Sequence, residues 1–420
     1  AQTRALDAGL AEERSAFLRL KDSSEAAALR HVFFAEREAA KIAGLDGVSP
    51  RLVKTIGIVG TGLMGSGIAI AALDAGLSVI GVEQSAEAAR KGRERIAALL
   101  ERNVKSGRLD EAGLADRLSR LAVADSLAPL AGADLVIEAV FDDFAVKTEL
   151  FRQLDVVVRP DAILATNTSY LNPDQIAAAT ALPSRVLGLH FFSPANIMRL
   201  VEVVRCAATE PDVLATGFAV AKKMRKLPIL SGVTEGFIGN RIFSAYRREA
   251  EFLLEDGAEP HDIDAAMEDF GFAMGPFSVF DLAGLEIAWA RRKRQAATRD
   301  PAERYVDIAD KLCEAGRFGQ KSGKGWYSYA DGRKSVDPEV TAIISASRAA
   351  KSIVPRHFDK AEIVDRLLDA MAVEGQKLLD ERIAARAGDI DLVMINGYGF
   401  PAHKGGPMFM KIPNAGGAHA

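Results

Sequence analysis

Residues 55–59 (TIGIV) form a short apolar run that stops at Gly60-Thr61-Gly62-Leu63-Met64-Gly65. Such a run suits a strand buried on both faces, and an apolar helical stretch follows it to about Ala75. A second strand, residues 77–82, then closes on Glu83. Few folds accept that order. Gly60 permits a tight turn, Gly62 lets the backbone approach a pyrophosphate, and Gly65 lets helix and strand pack closely. The helix N-terminus offers free N–H groups and the positive end of its dipole to the phosphates. Glu83 can accept both ribose hydroxyls and would repel a 2′-phosphate, which favours NAD over NADP as cofactor. The strand before the glycines and the acid after the second strand set this motif apart from a chance glycine-rich turn.

Strands and helices go on alternating to about residue 230, the pattern of a Rossmann-type doubly wound α/β sheet with parallel strands. Residues 87–105 and 147–154 read as helices; Val123 and residues 134–140, 163–165 and 186–189 read as strands. Ligand-facing residues belong at the carboxyl ends of those strands. Three candidates stand there: Glu138 with Asp142, the run Thr166-Asn167-Thr168-Ser169, and His190. Within 186–204 (VLGLHFFSPANIMRLVEVV), His190 ends one apolar run and Glu202, 12 residues on, interrupts the next. If the connection folds back, the carboxylate reaches the imidazole, orients it and favours its protonated form. A general base that removes a proton from an alcohol needs that arrangement.

Composition sets the outer limits. A chain of 420 residues holds about two or three domains. With 26% charged residues and a net charge of −4, it is poorly suited to binding nucleic acid or anionic membranes in bulk. Cys206 and Cys313 have no metal-binding or redox spacing and suit a reducing compartment, so the cytoplasm is the expected location. Asp74 interrupts the longest apolar stretch, so no membrane span is expected. The chain starts at Ala1 and its tail, KIPNAGGAHA, breaks off after GGPMFM, which reads as a fragment of a longer protein.

Residues 1–50 read as a linker-helix region. There Asp22-Ser23-Ser24-Glu25 resembles a capping box before an apolar stripe of Leu29, Val32 and Phe33, and residues 44–50 break the pattern. The cofactor domain spans 51–231, and two helical domains are expected at 232–330 and 355–420, the last one truncated, with a connector over 330–358. The reason for two is an internal repeat. Arg241, Ala245, Glu249, Leu253 and Leu254 recur at a shift of 125 residues as Arg366, Ala370, Glu374, Leu378 and Leu379. Asp262-Ile263-Asp264 and Met267 recur as Asp389-Ile390-Asp391 and Met394, and both copies run on to a Gly-Phe and then a Gly-Pro. One all-α module is therefore duplicated in tandem.

Seven segments together resemble the L-3-hydroxyacyl-CoA dehydrogenase family: GTGLMG, EAVFDDFAVK, NTSYL, HFFSPANIMRLVEV, GFIGNR, RFGQKSGKGW and GYGFPAHKGGPM. The likeness is to the dehydrogenase half of multifunctional fatty-acid oxidation enzymes and covers nearly the whole chain. It implies oxidation of (S)-3-hydroxyacyl-CoA to 3-ketoacyl-CoA with NAD. Acyl-CoA is then the small-molecule partner; a thiolase subunit or an enoyl-CoA hydratase domain absent from this chain is the further candidate. Carried over by position, it makes His190 the base and Glu202 its partner, with Ser169 and Asn240 on the substrate and completing the catalytic set. Gly60, Gly62, Leu63, Met64, Gly65, Glu83, Val140, Asp142, Lys147, Ser169, Ser193 and Lys321 become cofactor-binding, with Ser193 standing where many members have asparagine. The CoA contacts do not transfer, because helix 87–105 does not match residue for residue. No metal is implied. A short-chain 3-hydroxybutyryl-CoA dehydrogenase is the alternative within the enzyme class. Outside it stand a non-catalytic NAD-binding relative and an assembly module of a β-oxidation complex.

Overall fold

The computed structural model describes residues 5–411, so the start and tail considered above, residues 1–4 and 412–420, lie outside the described residues. Helices α1 (Leu6–Lys21) and α2 (Ser24–Ala39) lead into the sheet. Its elements are β1 (Thr55–Val59), α3 (Leu63–Asp74), β2 (Ser78–Val82), α4 (Ala86–Lys105), α5 (Glu111–Ser119), β3 (Leu121–Ala124), β4 (Leu135–Glu138) and α6 (Phe144–Val157). They continue with β5 (Ile163–Thr166), α7 (Pro173–Ala177), β6 (Val186–Phe191), β7 (Leu200–Val204), α8 (Pro211–Lys223) and β8 (Leu227–Ser231).

Eight strands form one sheet in the order β3-β2-β1-β4-β5-β6-β7-β8. Strand order reverses between β1 and β4, which opens a crevice at their carboxyl ends. The sheet is not wholly parallel as expected: β7 runs antiparallel to β6, and β8 parallel to β7. The reason is the connection. Residues 192–199 hold no crossover helix, so the chain can only turn back on itself. Each face of the sheet carries its own core, Ile56, Ile58, Leu73 and Ile137 in one and Val59, Val136, Phe151 and Leu164 in the other. Helix α3 is apolar on nearly every side because Gly65 through Leu73 are all buried.

The helical half comprises α9 (Gly239–Asp256), α10 (Pro260–Phe270), α11 (Pro276–Ala283), α12 (Glu286–Gln295), α13 (Ile308–Glu314), α14 (Pro338–Ala350), α15 (Lys360–Asp380), α16 (Ala387–Tyr398) and α17 (Pro407–Lys411). Helices α9, α10 and α11 recur as α15, α16 and α17, and α9 packs along α15. Two ion pairs cross that contact reciprocally. Arg241 of the first copy meets Glu374 of the second at 2.6 Å, and Arg366 of the second meets Glu249 of the first at 2.6 Å. Since these residues are each other's repeat equivalents, the contact has the pseudo-two-fold form of an isologous dimer interface. Each copy also uses one buried carboxylate to start its third helix. Asp264 accepts from the amides of Phe277 and Ser278, and Asp391 from those of Met408 and Phe409. The Gly-Pro of each copy makes room for it, since a Cβ on Gly275 or Gly406 would lie 2.2 Å from the aspartate.

Two local expectations are corrected. Residues 330–358 are not a bare connector, because α14 sits inside them with Val340 and Ile344 buried and Asp337 as N-cap. In α2 the N-cap is Ser23, bonded to the amide of Ala26, so Glu25 stands one residue early for a capping box. Its buried face is Ala28, Ala35 and Ala39, whereas Leu29 and Phe33 are each 50% exposed. Small side chains face inward because α2 lies close on α16: a Cβ on Gly388 would be 3.0 Å from that of Ala35. Among the described residues, no helix is long and apolar enough to cross a membrane.

Candidate active site

At the end of β1, Gly60 takes φ +88°, and a Cβ there would fall 2.9 Å from the carbonyl of Ala139. Gly65 admits no side chain at all, since its Cβ would stand 1.8 Å from the Gly60 carbonyl oxygen. Gly62 differs: a Cβ there would meet nothing within 4 Å, and α3 begins on it with no side-chain cap. An uncapped helix start beside open space fits a pyrophosphate. Leu63 is 72% exposed on the first turn, Met64 packs on the sheet core, and the Val140 side chain lies against Gly60.

Glu83 reaches this loop from β2. It accepts the Thr61 amide at 2.5 Å and the Thr61 hydroxyl at 2.9 Å, both on Oε1. The acid expected to face a ribose is thus first a brace for the glycine loop. Lys147 is held from inside the fold. Its side chain is 0% exposed and its ammonium donates to Glu138 at 2.5 Å, with Asp142 3.6 Å away, which makes it a buried counter-ion at the end of β4. Glu138 also accepts from Thr166 and the Val140 amide, and burial pushes its carboxyl upward against the pull of Lys147. Asp142 accepts the Thr168 hydroxyl at 2.6 Å and the Ser169 amide at 3.4 Å, so it shapes the loop that carries Ser169.

His190 and Glu202 are directly opposed in the β6–β7 register, which places both side chains on one face. His190 donates from Nδ1 to Glu202 Oε2 at 2.6 Å. With that proton committed, Nε2 is the acceptor, and the Ser169 hydroxyl lies 3.2 Å from it. Glu202 is fully buried, and its other oxygen accepts the amides of Ile238 at 3.0 Å and Gly239 at 2.9 Å. The start of α9 therefore holds the carboxylate while the helix dipole favours its charge. Asn240 follows on the same turn, and the Phe192 and Phe237 rings flank the imidazole at 4.6 and 5.6 Å. The loop after β6 leans on α3, since a Cβ on Gly67 would be 3.1 Å from Ala195. Histidine and glycine loop thus stand at the same end of the sheet, since β1 and β6 run in one direction.

Residues 55–234 match the family described as 3-hydroxyacyl-CoA dehydrogenase, NAD binding domain, and residues 236–329 its C-terminal domain. The solved (S)-3-hydroxybutyryl-CoA dehydrogenase PaaH1 from Ralstonia eutropha is 35% identical, with a TM-score of 0.63 over 66% of this chain and 99% of its own. The chain belongs to the 3-hydroxyacyl-CoA dehydrogenase family. NAD is the cofactor of that family's first domain, and its members include enzymes of fatty-acid β-oxidation. A 3-hydroxybutyryl-CoA dehydrogenase from Escherichia coli is 29% identical and aligns with a TM-score of 0.74 over 84% of this chain and 90% of its own. A peroxisomal bifunctional enzyme from Cavia porcellus is 42% identical over 96% of this chain but only 58% of its own length. The chain spans little more than half of such curated relatives.

The structure brings His190, Glu202 and Ser169 together and sets Asn240 beside Glu202's anchor. It does not bring in Ser193 or Lys321. Ser193 is exposed on a loop and Lys321 on the 3-10 turn Gln320–Ser322, and among the described residues no polar contact ties either to the histidine cluster. The anchor at the start of α9 has a visible sequence signal, Gly236 and Gly239 bracketing Phe237-Ile238 just before Asn240. The Glu138–Lys147 pair has none.

Proposed function

We propose that this chain, as a 3-hydroxyacyl-CoA dehydrogenase, oxidises (S)-3-hydroxyacyl-CoA to 3-ketoacyl-CoA. The observation that carries the reading is an imidazole held at Nδ1 by a buried carboxylate, with Nε2 open to a hydroxyl, at the same end of the sheet as the glycine loop. NAD, when bound, supplies the acceptor for the hydride leaving C3. Gly60, Gly62, Leu63, Met64 and Gly65 with the start of α3 would hold its pyrophosphate, and Glu83, which has an oxygen that Thr61 leaves unused, would hold a ribose. Val140, Asp142 and Lys147 would contact the cofactor at that end, and Ser193 and Lys321 would be outlying cofactor contacts.

His190 takes the hydroxyl proton on Nε2. Glu202 keeps the ring in the required tautomer and faces the positive charge the ring acquires, and the α9 amides stop the carboxylate from swinging away. Ser169 binds the same oxygen that His190 deprotonates, and Asn240 holds the thioester side of the substrate.

We further read the chain as corresponding to the dehydrogenase half of a multifunctional enzyme, with acyl-CoA as substrate; 96% coverage of the chain against 58% of the relative supports this. A thiolase subunit is the macromolecular partner that this reading names. A cytoplasmic location rests on composition alone, while the relatives are named peroxisomal or glyoxysomal. The test is formation of reduced cofactor from purified protein, NAD and 3-hydroxyacyl-CoA of butyryl to palmitoyl length. The (S) substrates should react and the (R) substrates should not. No turnover with any (S) substrate would overturn the reading.

A further inference from the structure

The second helical copy contributes a side chain to the site built by the sheet and the first copy. Tyr398, the last residue of α16, donates its hydroxyl proton to Asn240 Oδ1 at 2.9 Å. The family match ends at residue 329, well short of this tyrosine. Its approach is prepared on both sides. A Cβ on Gly239 would lie 2.5 Å from the tyrosine ring, and one on Gly397 would lie 2.7 Å from the Leu200 side chain. Gly399 ends α16 at φ +72°, a left-handed conformation that glycine adopts freely. Phe243 at 5.1 Å and Phe192 at 5.7 Å pack against the ring, and Phe192 also touches His190.

We propose that Tyr398 is a positioning residue for Asn240, so that the second helical copy completes the active site; this rests on the function proposed above. An amide side chain has two near-isosteric orientations, and its partners decide between them. Burial, with the Glu202 charge nearby, holds the Tyr398 hydroxyl well above the ordinary phenol range, so it keeps its proton. Among the described residues, Asn240 Oδ1 is the acceptor for that proton. Turning the amide over would strand it. The bond therefore fixes Oδ1 toward Tyr398 and leaves Nδ2, a donor, for a substrate carbonyl oxygen. Without Tyr398 the amide would spend part of its time presenting an acceptor to that oxygen.

The test is a double-mutant cycle on Tyr398→Phe and Asn240→Ala in the whole chain. Tyr398→Phe keeps the ring and drops only the hydroxyl. Turnover of (S)-3-hydroxyacyl-CoA should fall about tenfold, as for one lost orienting hydrogen bond. NAD affinity and the melting temperature should stay near those of the parent. In the Asn240→Ala background the same change should cost nothing further. Parent-like turnover in Tyr398→Phe, or an equal proportional loss in both backgrounds, would overturn the proposal and leave the tyrosine a packing residue. A parent that turns over no substrate would instead bring down the proposed function and this inference with it. The two failures are thus distinct.

Discussion

Glu83 accepts both the amide and the hydroxyl of Thr61 on one oxygen, so its replacement removes a loop brace along with a ribose acceptor. Glu83→Ala should weaken NAD binding by about tenfold, and NADP binding by less because the repulsion of a 2′-phosphate goes with the acid. The ratio of catalytic efficiencies with the two cofactors checks this, and an unchanged ratio would remove Glu83 from the ribose site. The acid is legible in the sequence because a strand end after a glycine turn is a fixed address. His190 and Glu202 are legible for a similar reason, each closing or interrupting an apolar strand. Lys147 is not. A lysine on a helix gives no sign in sequence that its ammonium turns inward, because the partner, Glu138, ends a different element.

At the scale of elements, the glycine-rich stretch 317–329 closes on Asp281 of α11, which accepts the amides of Trp326 and Tyr327 and the Tyr329 hydroxyl. Burial raises this carboxyl from 3.8 to about 6. The folded protein thus holds a proton that the unfolded chain has released, so the associated stability is present below pH 3.8 and lost as pH rises through about 6. Asp281→Asn cannot titrate. The stability of the parent relative to this variant should therefore decline by on the order of 2 kcal/mol between about pH 4 and pH 7. Parallel melting curves in urea across that range read it directly, and parallel slopes would contradict it. Helix α14 shows how an element escapes a first reading. Its Asp337-Pro338 start and its Val340 and Ile344 spacing are helical signals, yet the flanking glycine-rich stretch masks so short an apolar face. The antiparallel β7 was out of reach for another reason: strand direction depends on a loop that leaves no periodic pattern.

Over the whole molecule, the tandem copies form a closed pair, and the reciprocal Arg241–Glu374 and Arg366–Glu249 bridges mark the shared face. The repeat was legible because five α9 positions recur in order; the cover over each copy was not. Tyr327 of the closing stretch bonds Asp264 in the first copy, while His31 of α2 bonds the equivalent Asp391 at 2.8 Å in the second. Residues distant in the chain fill one role. Deleting residues from about 355 onward should expose the α9 face and cause dimerisation or aggregation, read by light scattering. A truncated chain that stayed monomeric and soluble would mean the second copy covers nothing essential. The proposed oxidation depends on His190 acting as the base inside this assembly, and His190→Gln measures that most directly. Turnover of (S)-3-hydroxyacyl-CoA by the variant should fall about a hundredfold or more, with NAD affinity close to that of the parent. Turnover within about tenfold of the parent would contradict the account.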